Sequence, residues 1–193
     1  MRSKYLFTAC SLMVLFSTIG ALPLQAASMD HTRGRIVIQV EDHGEAWYVL
    51  PTVTERVYIK NGEAAYAALR NFGLGISNAD IWEIPVGVNP TLYGDDFAGD
   101  TDHDGLDDKL EEALGTSYNN ADSDGDGYND SEEFENGYSP FGSAMIPVDE
   151  EMVNRLKGYI LLQVESRGEA WYVNPADGKR YYMADGESAY AVM

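Results

Sequence analysis

Cysteine is nearly missing from this chain: Cys10 is the only one in 193 residues, and it lies in an apolar leader. With that leader removed, neither a disulfide nor a cysteine nucleophile is available. Positive charge is also scarce. Thirteen Lys and Arg face 32 Asp and Glu, giving a formal net charge of -19 and a sequence pI near 4.2, which points away from nucleic acid and anionic membranes and toward cations. His31, His43 and His103 are scattered, and there is no G-x-S-x-G elbow, phosphate loop or H-E-x-x-H. These absences argue that the protein is not an enzyme. Beyond the leader, no segment is long and apolar enough to cross a membrane.

The leader itself, MRSKYLFTACSLMVLFSTIGALPLQAAS, has Arg2 and Lys4, then an uncharged apolar run, then Pro23 and small residues. This reads as a secretory signal occupying residues 1–27, cleaved after Ala26 or Ala27. The alternative is an uncleaved anchor, since Tyr5 to Leu24 nearly spans a bilayer. Lipidation at Cys10 is not expected, because too little apolar sequence precedes it. The expected location is extracytoplasmic: secreted, periplasmic or at the cell surface. With 45% hydrophobic and 11% aromatic residues, the chain has material for a core and is not a disordered acidic polymer.

A duplication organises the rest of the chain. Aligned without a gap, residues 34–69 and 158–193 share 19 identities in 36 positions, including GEAWYV in both copies. IVIQV and ILLQV read as first strands, Gly44 and Gly168 as turn residues, and AWYV as the second strand. Asp177-Gly178 marks a further turn before a third strand at 180–183 in the second copy. Asn61 and Asp185 are helix caps ahead of GEAAYAAL and GESAYAVM. Each copy is therefore expected to be three antiparallel strands with a helix on one face, an α+β unit with Trp47 and Trp171 in its core. The first copy is placed at 34–88 and the second at 157–193, where it stops inside its expected helix. Either a partner supplies the missing packing or the reading frame continues; the second is the expectation. Similar GEAWYVNP modules occur in bacterial envelope proteins. The aromatic pairs read first as core residues of so small a module; the alternative is a surface that recognises envelope polysaccharide or peptidoglycan, or another surface protein.

Between the copies, after a turn-rich linker at 89–99, DTDHDGLDDKLE packs six carboxylates into residues 100–111. At an effective dielectric near 20, two like charges about 5 Å apart repel by roughly 3 kcal/mol, so such a cluster calls for a cation. Asp100, Asp102 and Asp104 fall at loop positions 1, 3 and 5, Gly105 at 6, Asp108 at 9 and Glu111 at 12, with the Leu106 carbonyl at 7. DSDGDGYNDSEE repeats the pattern with Asp122, Asp124, Asp126, Gly127, the Tyr128 carbonyl, Asp130 and Glu133. Calcium takes six to eight oxygens at about 2.3–2.6 Å, which alternate side chains of a tight loop can supply. Asp108 would act directly or through a water, while Asp107, His103 and Lys109 point outward. Two calcium sites are expected.

Neither loop is flanked by the long helices of a paired EF-hand; each is followed by a short helix stopping at Gly115 or Gly137. The stretch from Asp100 to Pro140 resembles bacterial thrombospondin type 3 repeats. That resemblance implies calcium binding, an envelope or extracellular setting, and a spacer role between the two modules. The closing turns GTSY and GYSP depart from the family pattern, so ligands lent between repeats are not expected. The rest of the centre, 141–156, reads as a second linker.

Overall fold

The computed structural model describes residues 29–39, 44–53, 55–88, 99–186 and 188–189; the expected leader, nearly all of the first linker and most of the expected helix of the second copy lie outside these. After a 3-10 turn at Met29–Thr32, the first copy forms β1 (Ile36–Gln39), β2 (Glu45–Val49) and β3 (Arg56–Ile59), an antiparallel sheet in that order. Gly44, at φ 79°, supplies the turn conformation that a side chain disfavours. Helix α1 (Gly62–Phe72) starts where Asn61 accepts a hydrogen bond from the Ala64 N–H at 3.0 Å.

From here the chain leaves its own module. β4 (Leu74–Ile76) pairs in parallel with the first strand of the second copy, and the short α2 (Asn78–Ile81) follows, capped by Ser77. In the acidic centre, α3 (Asp108–Leu114) and α4 (Asp130–Asn136) end at Gly115 and Gly137, both left-handed, as expected. A hairpin of β5 (Tyr138–Ser139) and β6 (Gly142–Met145), then α5 (Glu150–Leu156), fill the stretch read as a linker. The second copy forms β7 (Ile160–Gln163), β8 (Ala170–Val173) and β9 (Arg180–Tyr182). With β4 added, its sheet is four-stranded and mixed, in the order β4-β7-β8-β9, rather than three-stranded and antiparallel. The architecture is α+β.

The two copies are not held apart. They pack directly on each other, with equivalent residues meeting: the Tyr48 hydroxyl donates to the Gly158 carbonyl at 2.8 Å, and the Tyr172 hydroxyl donates to the Gly34 carbonyl at 2.5 Å. Gly34 and Gly158 are themselves equivalents, and a Cβ on Gly34 would lie 2.5 Å from the Gly158 Cα. Gly62 and Gly186, a second equivalent pair, approach as closely. Contacts between like positions define a pseudo-two-fold axis. Around it, Tyr48, Ile59 and Ala65 share a core with their counterparts Tyr172, Met183 and Ala189. Fully burying side chains of this size contributes about 1.5–3 kcal/mol each, which is why the interface closes. The expected spacer geometry fails because this face of each sheet is apolar, and the other copy covers it.

A second core forms on the opposite face of the second copy. Trp171, Leu161 and Val173 pack there against Ile81 and Ile84, against Leu106, Leu110 and Leu114 of the acidic centre, and against Val153 and Leu156 of α5.

Candidate metal centres

Both acidic loops are built by their own backbone. In the first, Asp100 accepts from the N–H groups of Asp104 (3.1 Å) and Gly105 (3.0 Å), and Asp104 accepts from Leu106 (2.7 Å). In the second, Asp122 accepts from Gly125 (2.7 Å) and Gly127 (2.8 Å), and Asp126 accepts from Tyr128 (3.1 Å). The glycines at position 6, Gly105 and Gly127, have φ of 100° and 102°, the bend that turns alternate carboxylates inward. Position 4 is also left-handed in both loops, at His103 (φ 65°) and Gly125 (φ 78°). His103 sustains this conformation with its ring Nδ1 2.6 Å from the Asp100 carbonyl oxygen.

As a result, Asp100, Asp102 and Asp104 bring one carboxylate oxygen each within 4.8 Å of one another, and Asp122, Asp124 and Asp126 do the same. Two oxygens bound to one calcium at about 2.5 Å lie at most about 5 Å apart, so both triads fit one ion. The residues at position 9 play a different part. Asp108 accepts from the Thr101 N–H (2.9 Å) and hydroxyl (2.8 Å), and Asp130 accepts from the Ser123 N–H (2.8 Å) and hydroxyl (2.6 Å). Both carboxylates thus brace the loop across its mouth, which suits contact with an ion through a water. The residue at position 2, Thr101 or Ser123, is a structural partner that the motif alone does not single out.

Glu111 and Glu133, at position 12, are the telling groups. Glu111 is fully buried and Glu133 is 4% exposed, and the Oε2 atom of each is buried without a hydrogen-bond partner. Burial, then repulsion from Asp102 and Asp104, pushes Glu111 up to about 8. Burial, then Asp124 and Asp126, pushes Glu133 up to about 7. An orphaned buried carboxylate oxygen costs several kcal/mol unless something pairs with it. A divalent cation among the three neighbouring aspartates would do so for both.

The two loops are joined and unequally sheltered. The Ser131 N–H, in α4, donates to Asp104 of the first loop at 3.3 Å. Asp104 is 7% exposed and Leu106 is 1% exposed, whereas Tyr128, at the same motif position as Leu106, is 64% exposed. Lys109 and His103 are exposed, as expected; Asp107 caps α3, accepting from the Lys109 N–H at 2.8 Å. Comparison with protein-family models, curated proteins and solved structures gave no match.

Proposed function

We propose that the chain is an extracytoplasmic, non-enzymatic structural protein whose centre binds two calcium ions and is thereby held across the second copy of the module. The observation that carries this reading is the buried, unpartnered Oε2 of Glu111 beside the Asp100, Asp102 and Asp104 cluster. Asp100, Asp102, Asp104, the Leu106 carbonyl and Glu111 would hold one ion, with Asp108 behind a water. Asp122, Asp124, Asp126, the Tyr128 carbonyl and Glu133 would hold the other, with Asp130 in the corresponding role.

The consequence is mechanical. Leu106, Leu110 and Leu114 sit in the same core as Trp171, so an ion that neutralises the first loop keeps α3 seated on the second sheet. Extracellular calcium modules bind at about 10⁻⁴–10⁻³ M, so calcium at about 1–2 mM would stabilise each site by roughly 0.5–2 kcal/mol. The role is a clamp rather than a spacer. The leader sequence favours the envelope or the exterior, as does the resemblance of the loops to thrombospondin type 3 repeats.

Calorimetric titration of the mature chain is expected to report two calcium sites, and Glu111→Gln is expected to leave one. Absence of uptake at millimolar calcium would overturn the proposal. The second reading, recognition of envelope polysaccharide through the aromatic strands, has support only in the first copy. Trp171 is fully buried, whereas Trp47 is half-buried beside the exposed Tyr58.

A further inference from the structure

In the second copy a strap of chain, Leu74 to Gly87, crosses the sheet from one edge to the other. β4 pairs with the β7 edge. The Gln163 side-chain amide donates to Asn78 at 2.8 Å, and its oxygen accepts from Trp171 Nε1 at 3.3 Å. Trp82 covers Arg180, whose guanidinium lies 5.2 Å from the Trp82 ring and 4.6 Å from the Trp171 ring. At the far edge the Arg180 N–H donates to the Pro85 carbonyl, and the Gly87 N–H donates to the Arg180 carbonyl, both at 2.8 Å.

The receiving groups are all duplicated in the first copy. Ile38, Gln39, Trp47, Arg56 and Tyr58 occupy the positions of Leu162, Gln163, Trp171, Arg180 and Tyr182. They are already arranged alike: the Arg56 guanidinium lies 4.4 Å from the Trp47 ring, and the Trp47–Tyr58 centroid distance, 5.0 Å, equals that of Trp171–Tyr182. Among the described residues, however, this face is only partly covered: Val49 is fully buried and Trp47 half-buried, but Tyr58 is 45% exposed and Gln39 and Arg56 are exposed. The buried Trp47 Nε1 has no hydrogen-bond partner, although the equivalent atom of Trp171 is satisfied by the glutamine that holds the strap.

We infer that the first copy is a receptor for a second strap: a partner polypeptide segment with the chemistry of residues 74–87. It would carry an extended Leu-Gly-Ile-like strand to lie parallel to β1, an asparagine to engage Gln39, a tryptophan to cover Arg56, and an Ile-Pro-Val-like end to pair with β3. A polypeptide fits better than a glycan because the sheet edges need backbone partners. The Arg35 carbonyl accepts from the Val49 N–H, so by alternation Val37 and Gln39 face β2, while the backbone groups of Ile36 and Ile38 turn outward. The strap within this chain is engaged on the second copy, so the occupant comes from another segment.

The test uses the full chain in calcium-containing buffer and a fluorescein-labelled synthetic peptide with the sequence of residues 72–88, followed by anisotropy. Saturable one-to-one binding is expected. Replacing the tryptophan of the peptide by alanine, which leaves the protein untouched, is expected to weaken it about tenfold through the lost indole–guanidinium contact. Ile38→Pro in the protein removes one outward N–H and is expected to weaken it at least as much, with circular dichroism unchanged. No saturable binding overturns the proposal, and so does binding that either change leaves intact. Persistence in the Ile38→Pro chain would mean exchange with β4 at the β7 edge. Saturation by a soluble envelope glycan without peptide binding would also overturn it, in favour of a sugar-reading face.

Discussion

Trp171 and Trp47 occupy the same position in two copies that share 19 of 36 residues, yet Trp171 has no exposed surface and Trp47 is half-buried. The acidic loops show the same split, with Leu106 sealed in a core and Tyr128 in solvent. In both pairs local structure repeats and surroundings do not. The inserted centre covers one copy of the module and presents its own first loop inward, so a repeat residue's energetic weight depends on what the intervening chain lays over it.

The sharpest way to break this comparison is to truncate the two tryptophans. Trp171→Ala is expected to cost about 3–5 kcal/mol in denaturant melts, the range for a large buried aromatic, and Trp47→Ala well under half of that. Equal losses would mean that the first copy is covered as completely as the second.

The glycines come next. Gly34→Ala meets the Gly158 backbone at a left-handed φ of 68°, whereas Gly44→Ala, at φ 79°, meets nothing within 4 Å. Strain plus overpacking should cost the first about 2–4 kcal/mol, and strain alone should cost the second about 1–2 kcal/mol, measured by thermal unfolding.

The loop comparison has smaller effects and a change of sign. Chelation should lower stability by roughly 0.5–2 kcal/mol per site. Glu111→Gln should be less stable than the parent chain in calcium but more stable in chelator, because glutamine stays neutral beside Asp102 and Asp104 without taking up a proton, whereas the buried Glu111 carboxyl must bind one to do so. Glu133→Gln, in the more exposed loop, should show the same reversal with a smaller amplitude.

The pH dependence probes the same buried carboxyl. A carboxyl raised in the folded state from an ordinary 4.5 to about 8, as for Glu111, has no effect below pH 4.5, where both states are protonated. Between there and about 8 the unfolded chain ionises first. The metal-free protein should therefore lose stability as pH rises through this window, and calcium should abolish the slope. A metal-free melting temperature that climbs from pH 5 to 8 would contradict the buried state of Glu111.

Much of the site is legible in the sequence because its chemistry is local. The spacing of Asp100, Asp102, Asp104 and Gly105 uses backbone N–H groups a few residues away, so the loop closes on itself wherever it is placed. The bracing of Asp108 by Thr101 is not legible, since a hydroxyl at position 2 carries no distinctive signal in an acidic, turn-rich stretch. The expected linker at 141–156 proves to be structured for a related reason: α5 is only seven residues long, and its apolar Met152, Val153 and Leu156 make sense only against the second sheet.

What the residues settled alone was everything governed by short-range rules. The duplicated strands, the caps at Asn61 and Asp185, the left-handed stops at Gly115 and Gly137 and the two inward-turning acid triads all come from turn chemistry and periodicity. Tertiary structure decided which copy of each repeat lies inside, that equivalent glycines meet on a pseudo-two-fold axis, and that β4 joins the other module's sheet. Those choices depend on competition among distant apolar faces for cover, and near-identical stretches such as GEAWYV carry no information about which of them wins it.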